Sequence, residues 1–148
     1  MWTWRKLNPQ LLDRAALSKL ARKRRSESCL IVGNGPSLRE MDLNLAEKCD
    51  SFASNGIYLL YPHTRWRPTA YACVDTAVLP DSRFNINEMV AEERRTQCFF
   101  PRCLVPHSDE VSSTDVASYV NPKRNTWYFE TATFSTEEAK YNVFSGSN

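Results

Sequence analysis

The feature that most constrains this fold is the alternation of short apolar runs with segments of helical periodicity. Between the fourth and fifth runs the chain is polar and irregular, with Pro106 and Pro122 as breakers. Strands that alternate with helices favour a mostly parallel sheet, so we predict a Rossmann-like α/β fold with flanking helices. The predicted strands are 28–32, 51–55, 69–75, 96–101 and 125–130, and the helices that follow the first strand are 36–48, 56–62 (a helix or turn) and 85–95.

The length and the charge distribution indicate one domain with a basic leader. A chain of 148 residues, 42% hydrophobic and 24% charged, is long enough to bury a single core. Its net charge is only +2, yet residues 1–28 hold eight basic residues against Asp13 and Glu27. The remainder of the chain is therefore mildly acidic. We place the basic amphipathic leader at 1–27 and the α/β domain at 28–148.

The leader is predicted to form one helix over 8–25. Asn8 is a suitable N-cap and Pro9 suits the first helical position. Apolar residues recur at a spacing of four: Leu12, Ala16 and Leu20. The sequence RKRR at 22–25 stands at the C-terminal end, where cations are favoured. One interpretation is a surface for an anionic membrane or a nucleic acid. The other, which the narrow alanine-rich stripe favours, is a solvated helix that packs one side on the body.

The cysteines and the apolar runs indicate a cytoplasmic protein. Five cysteines form no C-x-x-C pair, several stand in apolar runs, and only two histidines accompany them, so we predict reduced thiols and no metal site. No apolar run approaches the roughly 18–20 residues that cross a bilayer. The first ten residues, MWTWRKLNPQ, carry charges where a signal peptide would be apolar.

The candidate site is the turn in the sequence CLIVGNGPSL at 29–38. The chain has only four glycines, and two of them, Gly33 and Gly35, flank Asn34 directly after the first predicted strand. Glycines let the backbone turn sharply and approach a ligand, and Pro36 begins the next helix without losing a needed N–H. The N–H groups after Ser37 would then form an anion site for a nucleotide phosphate. In open α/β sheets such sites lie at the carboxyl ends of strands, near a switch in strand order.

Neither standard phosphate-binding motif is present in this turn. No third glycine and no lysine follow Gly35 at the spacings of the dinucleotide fingerprint or the P-loop. On these residues alone, a tight strand-to-helix turn without a ligand remains an alternative. Asn34 carries both a donor and an acceptor, which suit a base, a sugar or a phosphate.

A longer string resembles two related families. GNGPSL at 33–38 is followed by MDL at 41–43, by FASNGIYLL at 52–60 and by WRPTAYACVD at 66–75. Over roughly residues 28–80 these segments resemble the family named after the archaeal 6-hydroxymethyl-7,8-dihydropterin pyrophosphokinase. They are also similar to the bacterial sialyltransferases of glycosyltransferase family 42. Many bacterial members of the first family resemble surface-polysaccharide or flagellin-glycosylation proteins.

The resemblance implies roles for particular residues. In the sialyltransferases, the asparagine of the Gly-rich turn and the one after the second strand hold the donor nucleotide, which implies these roles for Asn34 and Asn55. Gly35, Pro36 and Ser37 match the same motif. Asp75 ends the third predicted strand, where it faces the same crevice as a ribose or metal contact, or else caps a helix.

The implied partners are a CMP-sugar donor, or ATP with Mg²⁺, together with a glycan or small-molecule acceptor. The leading hypothesis is a nucleotide-binding transferase of surface-glycan biosynthesis. The alternatives are a pterin diphosphokinase, for which Asp75 and Asp81 are the nearby carboxylates, and a non-catalytic binding remnant. Under the first interpretation of the leader, a membrane contacted peripherally through the leader is a further partner, and no specific nucleic acid is expected.

The sequence assigns no catalytic residue. In both families the domain runs past 148 residues, and the sialyltransferase histidine base lies in that later part, so we expect an incomplete C-terminal end. His63 and His107 do not match its position and are interpreted as surface histidines. Trp66, in the aromatic and basic cluster 61–68, either stacks on a ligand or packs on the sheet edge, and we favour packing.

Overall fold

Five parallel strands form one sheet in the computed structural model, which describes residues 10–75, 77–104 and 114–130. With the two strands of a separate ribbon, the described residues form seven strands: β1 Cys29–Val32, β2 Asp50–Ser54, β3 Ala70–Ala72, β4 Gln97–Pro101, β5 Cys103–Leu104, β6 Thr114–Asp115 and β7 Thr126–Phe129. The sheet order is β1-β2-β3-β4-β7, and β5 pairs with β6 as a separate antiparallel ribbon. Every pair in the main sheet is parallel, which confirms the predicted α/β fold.

Short helices connect these strands. The α-helices are α1 Arg14–Ala21, α2 Val78–Asp81 and α3 Arg83–Glu92, and the 3₁₀ helices are Pro36–Glu40, Leu43–Ala46, Asn55–His63 and Val116–Ser118. The helices predicted over 56–62 and 85–95 are therefore present. The single helix predicted over 36–48 is wrong, because Met41 is extended (φ −101°, ψ 130°) and interrupts it. Asp42 then begins a new turn by accepting a hydrogen bond from the Asn44 N–H.

The leader helix is shorter than predicted. Residues 10–12 are extended beside β7, where Leu12 donates its N–H to the Tyr128 carbonyl (2.6 Å) and Gln10 accepts from the Tyr128 N–H (2.8 Å). Backbone pairing with a sheet edge therefore replaces helical pairing there, and α1 begins after Asp13, whose side chain caps it. The predicted cap residues 8 and 9 lie outside the described residues. The predicted stripe is the half-buried side of this segment: Leu12, Ala16 and Leu20.

The sheet buries one face, which we call the inner face. Each strand of the sheet lies next to the preceding one, in the order β1-β2-β3-β4-β7. Because crossovers between parallel strands are right-handed, an order that progresses in one direction places all the connecting segments on the same face of the sheet. Side chains alternate along a strand, so every second residue faces that side. These inner-face residues are almost completely buried: Val32, Ala53, Tyr71, Cys98, Phe100 and Tyr128. α3 adds Ile86, Met89 and Val90 to the same core.

The opposite face of the sheet, the outer face, is only partly covered. Its residues in register are Ile31, Phe52 and Ala70 on the first three strands, and Phe99 and Trp127 on the last two. Ile31 is 79% exposed and Phe52 is 37% exposed, whereas Phe99 and Trp127 are half-buried. An apolar run such as 28–32 favours a buried strand, but β1 is largely exposed because it lies at the edge of the sheet with little cover on this side.

Asp50 ties the end of the leader to the sheet. Its carboxylate accepts hydrogen bonds from the backbone N–H groups of Arg25 (2.6 Å) and Ser26 (3.1 Å), from the Arg25 guanidinium (3.2 Å) and from the Thr69 hydroxyl (3.3 Å). Burial raises the pKa of Asp50, but these hydrogen bonds lower it, and the net direction is downward. Ionised Asp50 therefore fixes the entry into β1.

Acid is expected to weaken this anchor. A carboxyl whose pKa is lower in the folded state contributes its stability above the unfolded pKa of about 3.9, and the contribution is lost as the pH falls through the folded value. Asp50→Asn should lower the free energy of unfolding by roughly 1–3 kcal/mol at neutral pH. It should also flatten the loss of stability between about pH 5 and pH 2, measured by urea unfolding. Asp81→Asn, at an exposed carboxylate, is the control. Equal acid profiles for Asp50→Asn and the parent protein would contradict the role given to Asp50.

Cys73 and Cys98 are buried free thiols in the core, as apolar surroundings predict, and burial raises the pKa of Cys98 to about 12. Among the residues that the structure describes, no helix is long and apolar enough to cross a membrane.

Candidate functional site

The candidate site lies where β1 and β2 end, at the carboxyl edge of the sheet. Val32 and Ala53 are partners in the parallel register, so the turns that follow the two strands are neighbours. Asn34 in the first turn donates a hydrogen bond from Nδ2 to the carbonyl oxygen of Ser54 in the second (3.0 Å). The structure therefore brings Asn34 next to Asn55, which follows Ser54 directly.

The two glycines of the first turn are not required by its backbone. Neither Gly33 nor Gly35 has a positive φ, so the expectation that they permit a sharp turn is wrong. A Cβ at Gly33 would meet nothing within 4 Å, and one at Gly35 would meet only the Ser37 hydroxyl oxygen at 3.6 Å. Open space thus lies in front of both backbones, as close approach of a ligand would need.

Pro36 and Ser37 begin a short 3₁₀ helix after this turn. Gly35 is its N-cap with extended φ −72°, and Leu38 donates its N–H to the Gly35 carbonyl (3.1 Å). Pro36 stands in the first turn of this helix, as predicted. The helix has five residues, however, so the predicted anion site at the start of a long helix is not formed. The exposed Ser37 hydroxyl and the Asn34 amide are the polar side chains that the turn presents.

Asn55 is held in a costly conformation at the end of β2. Its φ is 49°, the only positive φ at a non-glycine position among the described residues. Its side-chain oxygen is buried without a hydrogen-bond partner in this part of the chain. A left-handed residue and an unpaired buried acceptor each cost about 1–3 kcal/mol, and such costs concentrate at functional sites. The Asn-Gly pair at 55–56 was the sequence signal for this conformation.

Tyr71 holds the backbone of Asn55 in place. Its hydroxyl donates a hydrogen bond to the Asn55 carbonyl (2.8 Å). Tyr71 is fully buried, and burial raises its pKa far above the usual range, so the phenol remains a donor at any ordinary pH. The sequence did not indicate this contact, since it joins the middle of β3 to the turn after β2.

Asp75 has the capping role that was one of its two predicted roles. Its Oδ1 atom accepts hydrogen bonds from the N–H groups of Ala77 (2.8 Å) and Val78 (3.2 Å) at the start of α2. The residue is exposed and follows β3, the next strand along from Asn55. A ribose or metal contact by Asp75 stays a prediction. No group of three or more His, Cys, Asp or Glu side chains that could hold a metal is found in residues 10–75, 77–104 and 114–130.

The other aromatic and histidine candidates that the structure describes are not among the residues that line the cleft beside the first turn. Trp66 is fully buried, so it packs against the protein as favoured, but in the core rather than on the sheet edge. His63 is exposed at the end of a 3₁₀ helix, as predicted, and residue 107 lies outside the described part of the chain. Arg67 stacks over the Tyr61 ring at 4.1 Å, so this basic-aromatic pair is occupied within the protein.

The cleft beside the first turn is small, and neither Asn34 nor Asn55 is among its lining residues. It has a volume of about 160 Å³ and lies between the two glycines of the turn and the apolar residues Leu30 and Leu38. Two larger clefts, of about 690 and 700 Å³, lie at the opposite, amino edge of the sheet. Within the described sheet the strand order never reverses, so the expected switch in strand order is not what places this site.

Comparison with known proteins identifies no relative of this chain. The similarity of GNGPSL and FASNGIYLL to the two families therefore rests on these residues alone. No family model, no curated protein and no solved structure matches this chain.

Proposed function

We propose that the carboxyl edge of β1 and β2 binds a nucleotide or a nucleotide-sugar, and that the domain is a sialyltransferase-like glycosyltransferase of surface-glycan assembly. The observation that carries the proposal is the hydrogen bond from Asn34 to the Ser54 carbonyl (3.0 Å). It joins the two polar turns that the resemblance links to one donor nucleotide. Ligands of parallel α/β sheets bind at this edge of the strands.

The residues at this edge have the hydrogen-bonding groups and the open backbone that a nucleotide site needs. Asn34 keeps a second amide hydrogen and a side-chain oxygen for a ligand after bonding to Ser54. The bare backbone at Gly33 and Gly35 leaves room for a phosphate or a sugar, and the Ser37 hydroxyl stands beside it. A ligand donor would give the Asn55 side-chain oxygen the partner that it lacks, once the amide turns toward the crevice.

The proposed transfer is a displacement at the sugar. An acceptor hydroxyl attacks the anomeric carbon, the bond from that carbon to the phosphate oxygen breaks, and the electron pair leaves with the nucleotide. Donor groups aimed at that phosphate favour departure, since charge develops there in the transition state. Asn34 and Ser37 are the described side chains that we assign to this task. The base that takes the acceptor proton is assigned to no described residue.

A binding module without transfer activity is the second candidate. The side chains gathered at the two turns are amides and a hydroxyl, none of which is an ordinary general base, and His63 lines an adjoining cleft that meets the cleft beside the turn at Leu38, Met41 and Leu43. The pterin diphosphokinase is less favoured, because it needs carboxylates for Mg²⁺ and the Asp75 carboxylate already caps α2.

Calorimetry with a panel of ligands tests the proposal. CMP, CMP-sialic acid, ATP and ATP with Mg²⁺ are titrated into the protein, with inorganic phosphate as the control for bare charge. We expect CMP and CMP-sialic acid to bind with Kd below about 1 mM, and phosphate to bind more weakly. Release of CMP from CMP-sialic acid with an acceptor supports the transferase, and binding without release supports the module. Tighter binding of ATP with Mg²⁺ than of CMP favours the diphosphokinase. No binding of any nucleotide at about 1 mM would refute all three.

A further inference from the structure

Cations gather at the amino edge of the sheet, although the chain as a whole is nearly neutral. Each strand of the sheet is preceded within a few residues by a basic side chain, and parallel strands start at the same edge. The residues that precede β1, β2, β3, β4 and β7 in this way are Arg25, Lys48, Arg67, Arg95 and Arg124. The fold therefore concentrates charge that the sequence spreads over a hundred positions.

Seven cations at this edge, two of them among the five just named, form one exposed surface, which we call the basic edge. Two adjoining clefts share Lys23 and Arg94, so their linings are continuous. None of the seven makes an ion pair with a described residue, whereas Arg25 and Arg67 pair with Asp50 and Glu93. The basic edge consists of Lys19, Lys23, Arg65, Arg94, Arg95, Lys123 and Arg124, and the unpaired carboxylates that line the same clefts are Glu47 and Glu92.

α1 adds exposed apolar side chains next to this charge. The helix has no buried residue, and its last turn contributes Lys19 to the basic edge. Leu17 on the helix is 52% exposed, and Leu11 just before it is 50% exposed. A short helix with exposed leucines and flanking cations is typical of segments that rest on an anionic bilayer.

We propose that the basic edge, together with α1, docks the protein on an anionic lipid surface. Each Lys or Arg near such a surface contributes about 1 kcal/mol, so seven suffice for reversible docking without a spanning segment. A nucleic acid is less favoured, because Trp127 is the aromatic residue in these clefts and its indole N–H is already bonded to Gln97 (2.9 Å). Docking by the amino edge leaves the carboxyl edge, with Asn34 and Asn55, facing away from the membrane. The proposal does not depend on what binds there.

Vesicle co-sedimentation tests the docking surface. The probes are vesicles of phosphatidylcholine alone and vesicles with about one third phosphatidylglycerol, each at low and at high salt. We expect binding only to the anionic vesicles, weakened by salt. The variant with Arg94→Glu, Arg95→Glu, Lys123→Glu and Arg124→Glu should lose roughly a hundredfold or more in partition, although it keeps the whole leader. Circular dichroism checks its fold, and the corresponding glutamine variant replaces it if the charge reversals unfold the chain.

The matched control reverses charge away from the basic edge. Arg39→Glu with Arg83→Glu alters two exposed arginines that line neither of the two clefts, and binding should fall far less than in a two-site variant at Arg94 and Arg95. Equal loss in both pairs, or equal binding to neutral vesicles, would overturn the proposal. So would tighter binding to a single-stranded RNA oligonucleotide than to anionic vesicles at the same salt concentration, which would assign the surface to nucleic acid.

Discussion

Phe100→Ala is expected to lower the free energy of unfolding by about 3–5 kcal/mol. Phe100 is fully buried at the centre of the inner face, with its ring 6.2 Å from those of both Tyr71 and Tyr128. Its removal leaves a cavity between two aromatic rings that cannot close over it. Since domains of this size are stable by only about 5–15 kcal/mol, the variant should unfold at a much lower urea concentration.

Phe99→Ala is the matched control, one residue away on the same strand. Phe99 faces the outer side of the sheet and is half-buried, so its loss removes less buried surface. We expect a cost of about 1–2 kcal/mol, clearly below that of Phe100→Ala. Equal costs for the two variants would contradict a core that lies on one face of the sheet.

Asn55→Gly is expected to abolish most nucleotide binding while the fold remains stable. Glycine adopts the observed φ of 49° without strain, and the change removes the buried unpaired oxygen. Stability should therefore stay within about 1 kcal/mol of the parent protein. Loss of the amide should weaken CMP binding by roughly tenfold or more, measured by calorimetry, because a buried hydrogen bond to a ligand is worth about 1–3 kcal/mol.

Two further variants are compared with Asn55→Gly, one as a control outside the site and one as a test of positioning. Asn121→Gly changes an exposed asparagine outside the site and should leave CMP binding unchanged. Tyr71→Phe removes the hydroxyl that holds the Asn55 carbonyl and should weaken binding through position alone, with a smaller effect than Asn55→Gly. Unchanged affinity in Asn55→Gly would remove Asn55 from the site and leave its strain without a functional reason.

The local pattern of the chain was enough to predict most of the sheet. Apolar runs bounded by polar turns placed β2, β4 and β7 within two residues of their observed bounds. The resemblance to the sialyltransferases paired Asn34 with Asn55, and the position of each after a parallel strand, at a common edge of the sheet, agrees with that pairing. The Asp75 cap was also within reach, since an aspartate before a helix is a common cap.

What the pattern missed depends on contacts between distant segments. Residues 10–12 pair with Tyr128, more than a hundred positions away, and this pairing delays the start of the helix to Arg14. The exposure of Ile31 follows from the position of β1 at the edge, which periodicity does not report. The basic edge arises in the same way, because cations of four separate segments meet only once the strands are ordered.

We expect a nucleotide to bind at the carboxyl edge of the sheet, and amide chemical-shift mapping during a CMP titration locates its binding site. Phosphate charge alone would draw a nucleotide to the basic edge, so the location of the shifts decides the matter. We predict saturable shifts at Gly33, Asn34, Gly35 and Asn55, including the side-chain amides, that persist at high salt. Shifts confined to Arg94, Arg95 and Lys123 that vanish with salt, or no shifts at all, would contradict nucleotide binding at the carboxyl edge.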